Sequence, residues 1–519
     1  MDSIGEEREV TKWTDVDEAV AGMHDGATVA ITGSGGGLLE ADVVFSAILR
    51  RFEATGHPRD LTVVHALGVG DGRGSGLGRF ARPGLVKRVI GGHWVWSKDM
   101  QRLAETGQIE GYSFPGGVIA TLLREIGAGR PGVITRVGLR TFVDPRLGGG
   151  RMNDATTEAL VELIEIDGEE YLRFRPFAID YALVMASSAD DRGNLTVRHE
   201  PADLDIYAVA LAAHNTGGKV IAQVKRRDTA PVPARLVRVP GIMVDMTVEI
   251  AAQRQCAISE YDPAISGEVR VAPPPMPMPD GLRLIVAERA ARELGHGQSV
   301  NFGFGFPGAI PAVLAAQGRA HDYWGSVEQG IHNGDMLDGA MFGAARNADA
   351  IVPMVDQFDF YSGGGIDVTF LGMGEMDAEG NVNVSMLGST VVGPGGFMDI
   401  TQGARKIVFC GAFEAKGLDV RRGAGGLEII TPGSVPKLVR QVRHLTFSGV
   451  QARLDGKEVL YVTERAVFRL EADGVRLIEV ADGIDVQTDV LDRMGFMPLV
   501  DAALLRRPPA ARHGAAASA

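Results

Sequence analysis

A short motif occurs twice in this chain in the same setting, and it limits the fold more than any other feature. Ala182-Leu183-Val184-Met185 precedes Asp190-Asp191-Arg192-Gly193-Asn194-Leu195-Thr196, and Val368-Thr369-Phe370-Leu371 precedes Asp377-Ala378-Glu379-Gly380-Asn381-Val382-Asn383. In each, a Gly-Asn pair forms a tight turn joining two strand-like runs. A second correspondence lies upstream. Residues 14–23 have helical spacing with Thr14 as N-cap, Asp25-Gly26 stops them, and residues 27–31 read as a strand ending in Gly33-Ser34-Gly35-Gly36-Gly37. Residues 284–294, Gly295-His296-Gly297, the strand 299–302 and Gly303-Phe304-Gly305-Phe306-Pro307-Gly308 repeat that plan. Such recurrence implies a duplicated structural unit. Ile31 and Phe302 are 271 residues apart but Gly193 and Gly380 only 187, so the first half carries about 84 additional residues, expected between 61 and 172.

Between the halves, Ala272-Pro273-Pro274-Pro275-Met276-Pro277-Met278-Pro279 reads as a stiff extended linker, because consecutive prolines block helix and remove ladder donors. This places one domain at 1–271, a second at 280–505 and a disordered tail at 506–519. Apolar β-branched runs at 61–64, 133–135 and 350–355 alternate with helical stretches such as 119–126. The expected class is therefore two related open α/β domains with mostly parallel sheets, the first bearing an insertion. The 69 glycines cluster where apolar runs stop, as in tight βα turns. Gly72-Arg73-Gly74-Ser75-Gly76-Leu77-Gly78 reads as a flexible loop near a ligand or at an interface.

Composition narrows the partners. A net charge of −14 disfavours nucleic acid and anionic membrane, while leaving room for a local basic groove for a phosphorylated small molecule. No apolar stretch approaches the ~20 residues that span a bilayer, and the acidic first seven residues lack a secretory pattern, which points to the cytoplasm. The two cysteines, Cys256 and Cys410, are too few for a disulfide framework or a cysteine metal site, and Cys410 sits in an apolar run as an inert buried thiol. No metal is called for. His93, His214 and His332 lie near polar or glycine-rich turns without a signal pairing any of them with a nucleophile, and read as surface or core residues.

The chemistry centres on Ser326-Val327-Glu328-Gln329-Gly330, just after the strand-like Asp322-Tyr323-Trp324-Gly325. A glutamate on a tight turn at a strand's end is presented to a pocket as a covalent nucleophile. Gly393-Pro394-Gly395-Gly396-Phe397-Met398-Asp399 is a turn whose missing side chains let backbone amides approach a ligand and form an oxyanion site. Residues 303–308 match G-x-G-x-x-G, with Glu328 at about the interval of a ribose acid, so a NAD-dependent oxidoreductase is an alternative. Pro307 and Pro311 crowd the turn where a phosphate-binding helix needs free N–H groups, which weakens it.

Together these motifs, with residues 136–146 (Arg136-Val137-Gly138 through Pro145-Arg146), resemble the family I coenzyme A transferases over about residues 10–506, in particular the long single-chain acyl-CoA:carboxylate type acting on short acyl groups. The resemblance implies that Glu328 forms an acyl-glutamyl anhydride and then a glutamyl-CoA thioester in a ping-pong cycle. It implies that Gly395 and Gly396 supply oxyanion amides, and that Gly303, Phe304, Gly305, Phe306 and Pro307 line coenzyme A, which is a substrate rather than a bound cofactor. The partners implied are acyl-CoA and small carboxylates, in a homodimer or homotetramer. An acyl-CoA hydrolase on the same fold shares every motif, a non-catalytic metabolite-binding protein is a third reading, and acetate, propionate and a 3-oxoacid all remain open as acceptor. The chain departs from the pattern at Phe114-Pro115-Gly116-Gly117, where many relatives carry Pro-Gln-Gly; Gly116 has no side chain to donate. It departs again at Val327, between Ser326 and Glu328, and at Leu38-Leu39-Glu40, where relatives read Gly-x-Pro.

Overall fold

The computed structural model describes residues 11–273 and 275–506. The first seven residues and, apart from Arg506, the expected tail lie outside them. The chain forms two compact units interleaved in sequence: one falls within 1–274, 326–363 and 389–399, the other within 275–325, 364–388 and from 400 onward. The proline-rich stretch coincides with the passage from one to the other, yet two later segments, including the one bearing Glu328, fold with the first unit.

In the first unit a parallel sheet runs in the order Lys12–Trp13, Met246–Glu249, Lys219–Arg227, Tyr181–Ala189, Thr28–Ile31, Leu61–His65, Val86–Gly91, Glu110–Ser113. All nine residues of Tyr181–Ala189 are buried, the signature of a central strand covered on both faces. Helices Ile206–Asn215 and Gly116–Gly127 pack together so tightly that a Cβ at Gly127 would lie 2.6 Å from Leu211 Cγ. The insertion supplies the strands Val86–Gly91 and Glu110–Ser113, helices Lys98–Glu105 and Gly116–Gly127, and a small antiparallel sheet of Val133–Thr135, Glu169–Phe174 and Val161–Ile166.

The second unit places Gln298–Phe302, Val368–Gly372, Lys406–Cys410 and Glu458–Val462 side by side and parallel, the same order as Thr28–Ile31, Tyr181–Ala189, Lys219–Arg227 and Met246–Glu249 in the first. It continues antiparallel through Ala466–Glu471 and Gly474–Val480. Its core gathers Val300, Phe302, Val368, Phe370, Val408, Leu460 and Val462 beneath the helices Gly281–Ala290 and Ile310–Ala316.

The duplication extends to individual hydrogen bonds. Asp190 Oδ1 accepts from Arg192 N and Asn194 N, both at 3.0 Å; Asp377 Oδ1 accepts from Glu379 N and Asn381 N, both at 3.1 Å. Asn194 Oδ1 receives the Gly241 amide at 3.0 Å and Asn381 Oδ1 the Gly449 amide at 2.9 Å. A Cβ at either of those glycines would strike a carbonyl of the turn, Arg192 O at 1.8 Å or Glu379 O at 2.0 Å.

Three local expectations change. Asp15, not Thr14, caps the first helix, Val16–Ala21, its carboxylate accepting from Glu18 N at 2.8 Å. The run at 350–355 is a strand only at Ala350–Ile351, because Pro353 breaks it and starts the helix Met354–Ser362. Within residues 72–78, Arg73 and Gly74 are exposed but Gly76-Leu77-Gly78 are packed: a Cβ at Gly76 would lie 2.6 Å from Gly70 Cα, and the Gly70 amide donates to the buried Glu40 at 2.7 Å.

Because each turn asparagine bridges an aspartate and a distant amide, Asn194→Ala and Asn381→Ala are each expected to cost about 1–3 kcal/mol, read as a fall in the urea midpoint. An unchanged midpoint in both would contradict the shared role.

Candidate active site

Glu328 opens the turn 328–330, and its backbone has little freedom. Ser326 pairs with His332 and Val327 with Ile331 in antiparallel register, so the chain reverses within three residues. Gly330 closes the turn at φ +96°, its amide donating to Val327 O at 3.0 Å; a Cβ there would lie 2.0 Å from Val352 O. The buried Tyr361 hydroxyl lies 3.1 Å from Ser326 Oγ, tying the strand that delivers the turn to the helix Met354–Ser362. Gln329 points away into the protein, its Nε2 at 3.3 Å from Ser34 Oγ in the first glycine loop.

The second glycine motif is held on three sides. Gly395 N donates to Gly92 O at 2.8 Å, Gly116 N donates to Gly395 O at 2.7 Å, and Trp94 N donates to Val392 O at 2.9 Å. With the Gly395 amide committed to Gly92, the Gly396 amide is the one that hydrogen-bonds the Glu328 carboxylate. The approach admits no side chain: a Cβ at Gly396 would lie 2.0 Å from Glu328 Oε2.

Gly116 now has a physical reason. A Cβ there would sit 2.9 Å from Ala66 O and 3.2 Å from Gly395 C, so glycine lets the helix Gly116–Gly127 begin against the turn, and the contact is made by a backbone N–H instead of a side chain. Gly117 is held the same way, its amide 3.1 Å from Asp399 Oδ2.

The electrostatics suit a nucleophile. Glu328 keeps partial access to water, yet protein encloses the carboxyl enough that burial pushes its pKa up to about 7, with the Gly396 amide pulling the other way. Asp399, almost fully enclosed, is pushed up to about 8 by burial, the negative Glu328 adding to the rise. His93 lies beside Gly395, where a Cβ would be 3.7 Å from His93 Cδ2 and 4.0 Å from Glu328 Oε1. Burial, reinforced by His65, lowers its pKa to about 4 and leaves it neutral at physiological pH.

Sequence reading set His93 aside, and nothing in its neighbourhood along the chain connects it with a residue 235 positions away. Of the anticipated site residues, Glu328, Gly395 and Gly396 meet in the first unit. Gly303, Phe304, Gly305, Phe306 and Pro307 belong to the second, at the end of the strand Gln298–Phe302: the Gly303 amide donates to Phe370 O at 2.8 Å, Gly305 takes φ +86°, and Phe304 is exposed. The helix after this loop, Ile310–Ala316, has only seven residues. Among the described residues no cluster of His, Cys, Asp or Glu is arranged to hold a metal, and no helix is long and apolar enough to cross a membrane.

Comparison with known proteins gives matches along nearly the whole chain. The profile of the coenzyme A transferase family matches residues 13–249. Acetate CoA-transferase YdiF of Escherichia coli (strain K12) is 39% identical over 486 residues, 93% of this chain and 92% of that protein. Caffeate CoA-transferase of Acetobacterium woodii is 40% identical over 507 residues, 95% of this chain and 96% of that one. The crystal structure of the acyl-CoA transferase YdiF apoenzyme from Escherichia coli O157:H7 superposes with TM-score 0.91 at 38% identity, covering 96% of this chain and 95% of that chain. A structure of the same protein as a thioester complex with CoA matches with TM-score 0.91 at 37% identity, covering 96% and 97%.

Two outcomes follow from the geometry. Gly396→Ala is expected to lower turnover by about 10²-fold or more, since the methyl must displace the Glu328 carboxylate, while circular dichroism stays native. Glu328→Gln is expected to unfold at a higher temperature than the wild type at pH 8, with the difference closing toward pH 5. The sign follows from the raised pKa: above about 7 the folded protein must hold a buried carboxylate, a cost that disappears once the group is protonated.

Proposed function

The chain belongs to the coenzyme A transferase family, and from that premise we propose that Glu328 is the covalent nucleophile that carries coenzyme A from a short-chain acyl-CoA to a carboxylic acid. The observation that carries this is the meeting of a desolvated carboxylate with a glycine amide that no side chain can separate from it. One Glu328 oxygen attacks the thioester carbonyl and the C–S bond breaks, giving an acyl-glutamyl anhydride and the coenzyme A thiolate. The thiolate then attacks the glutamyl carbonyl, the acyl group departs as a free carboxylate, and a glutamyl-CoA thioester remains. An incoming carboxylate runs the sequence in reverse.

The Gly396 amide is the donor for charge developing at the carbonyl oxygen, and its fixed backbone means no reorganisation at the moment of reaction. Neutral His93 beside Gly395 adds no cation that would hold Glu328 in an unreactive ion pair. Coenzyme A enters and leaves as substrate, lining residues 303–307, with no resident cofactor. The assembly is a homodimer or homotetramer of the cytoplasm, checked by light scattering on the purified protein and by fractionation of cells. Hydrolysis is the competing outcome, because water reaching the anhydride would discard the thioester energy.

The test supplies an acyl-CoA donor with labelled acetate. Labelled acetyl-CoA is the expected product, whereas free thiol without it would mark a hydrolase. Glu328→Ala is expected to lose transfer by several orders of magnitude, and wild type incubated with donor alone should gain the mass of coenzyme A at Glu328. Near-normal turnover in the alanine variant would overturn the assignment.

A further inference from the structure

We propose that Asp399 is the charge-compensating acid of this site, holding a proton while Glu328 is a free carboxylate and releasing it when Glu328 becomes a neutral thioester. The inference rests on the reading of Glu328 as nucleophile. Asp399 acts through Glu328, so it is a positioning residue.

The placement comes from the Gly395-Gly396 turn, which has a carboxyl on either side. Glu328 lies against Gly396, and Asp399 follows three residues later in the first turn of the helix Phe397–Gly403. Asp399 is 2% exposed. Its Oδ2 accepts the Gly117 amide at 3.1 Å, and a Cβ at Gly117 would lie 2.6 Å from Oδ1. The twelve-residue helix Gly116–Gly127 starts from Pro115 with no capping side chain of its own, and Asp399, reaching in from a segment 282 residues away, receives its second amide.

Among the described residues, the charged groups around Asp399 leave it no unmatched cation. Glu328 is on one side, with His93, held neutral, beyond Gly395. On the other side Asp399 lines a cavity of about 460 Å³ with Arg124, Glu125, Arg130 and Asp359. There Arg124 pairs with Asp359 at 2.6 Å and with Glu125 at 3.3 Å, and Arg130 with Glu125 at 2.8 Å, so the arginines are already matched by acids.

Two ionised carboxylates so placed, in a desolvated pocket, are mutually unfavourable, and one proton stays with the pair. The more enclosed acid keeps it: Asp399 is almost fully buried, whereas Glu328 retains access to water and the Gly396 amide, which leaves the nucleophile charged and its neighbour neutral. Thioester formation changes that balance. In the net half-reaction the acyl C–S bond breaks, sulfur bonds to the Glu328 carbonyl carbon, and the negative charge leaves with the acyl carboxylate. Glu328 no longer opposes ionisation of Asp399, while the amides at the start of Gly116–Gly127 favour it. The Asp399 carboxyl then dissociates to carboxylate plus a proton, which passes to solvent, and the pocket keeps one negative charge throughout.

The experiment mixes wild-type enzyme with an acyl-CoA in weak buffer at pH 7.5 and follows a pH indicator together with the mass of the Glu328 adduct. About 0.5–1 proton per site is expected to appear with the thioester. In Asp399→Asn, which keeps an acceptor for the Gly117 amide, the adduct should form without that proton, while the acid limb of kcat/KM stays in place, because Asp399 is already neutral when Glu328 ionises. Adduct formation in Asp399→Asn with the wild-type proton yield would overturn the proposal. Should that variant fail to fold, the infrared difference spectrum of wild type decides: loss of a protonated-carboxyl band on thioester formation supports the assignment, and no loss overturns it. Absence of any Glu328 adduct in wild type would instead remove the nucleophile on which the proposal stands.

Discussion

The contact on which the site depends is between a backbone amide and a carboxylate. The Gly396 N–H faces Glu328, and the backbone lies so close that a Cβ added at Gly396 would fall 2.0 Å from Oε2. Removing water from a carboxylate is unfavourable, and a single amide offsets only part of that cost, which is why the acid sits near neutrality in its affinity for protons. The same desolvation makes the oxygen reactive. Folding stability and chemistry oppose each other at this residue, and the rest of the unit supplies what holds it in place.

Support comes from close backbone packing. Gly393 leaves room for Gly92 O, Gly116 for Ala66 O, and Gly117 for Phe358 and Asp399. Hydrogen bonds from Gly395 to Gly92 and from Gly116 to Gly395 then lock the turn between two loops. Those loops follow the strands Val86–Gly91 and Glu110–Ser113 of the parallel sheet, and the loop bearing Ser34 follows Thr28–Ile31. Chain segments delivered at the carboxyl ends of parallel strands are where an open α/β sheet places its ligands. Here glycine serves close approach rather than flexibility, and the ordered packing of Gly70 and Gly76 around Glu40 shows the same use away from the nucleophile.

Much of this was legible in the residues themselves. Duplication was readable because each half repeats an Asp-x-x-Gly-Asn turn whose side chains satisfy local amides, a pattern that needs only a few neighbouring residues. Glu328 and the Gly395-Gly396 turn were readable because a tight turn after a strand and a glycine pair are local features as well. The strand-like run at 350–355 was read too long, because Pro353 starts a helix within it, and the first helix's cap was set one residue early at Thr14, since propensity sets where an element lies better than where it begins or ends. His93 and the pairing of Asp399 with Gly117 left no trace, because they depend on segments hundreds of residues apart meeting at one place.

By itself, then, the sequence determined the duplicated α/β plan and the glutamate on its turn, because these rest on local spacing and short-range hydrogen bonding, and it pointed to the family through the resemblance of its motifs. The tertiary structure alone decided which amide faces that glutamate, why position 116 is glycine, and which second acid shares its surroundings. The physical reason is that burial and the summed field of distant groups set the proton affinity of a carboxyl, and neither exists until the chain has folded.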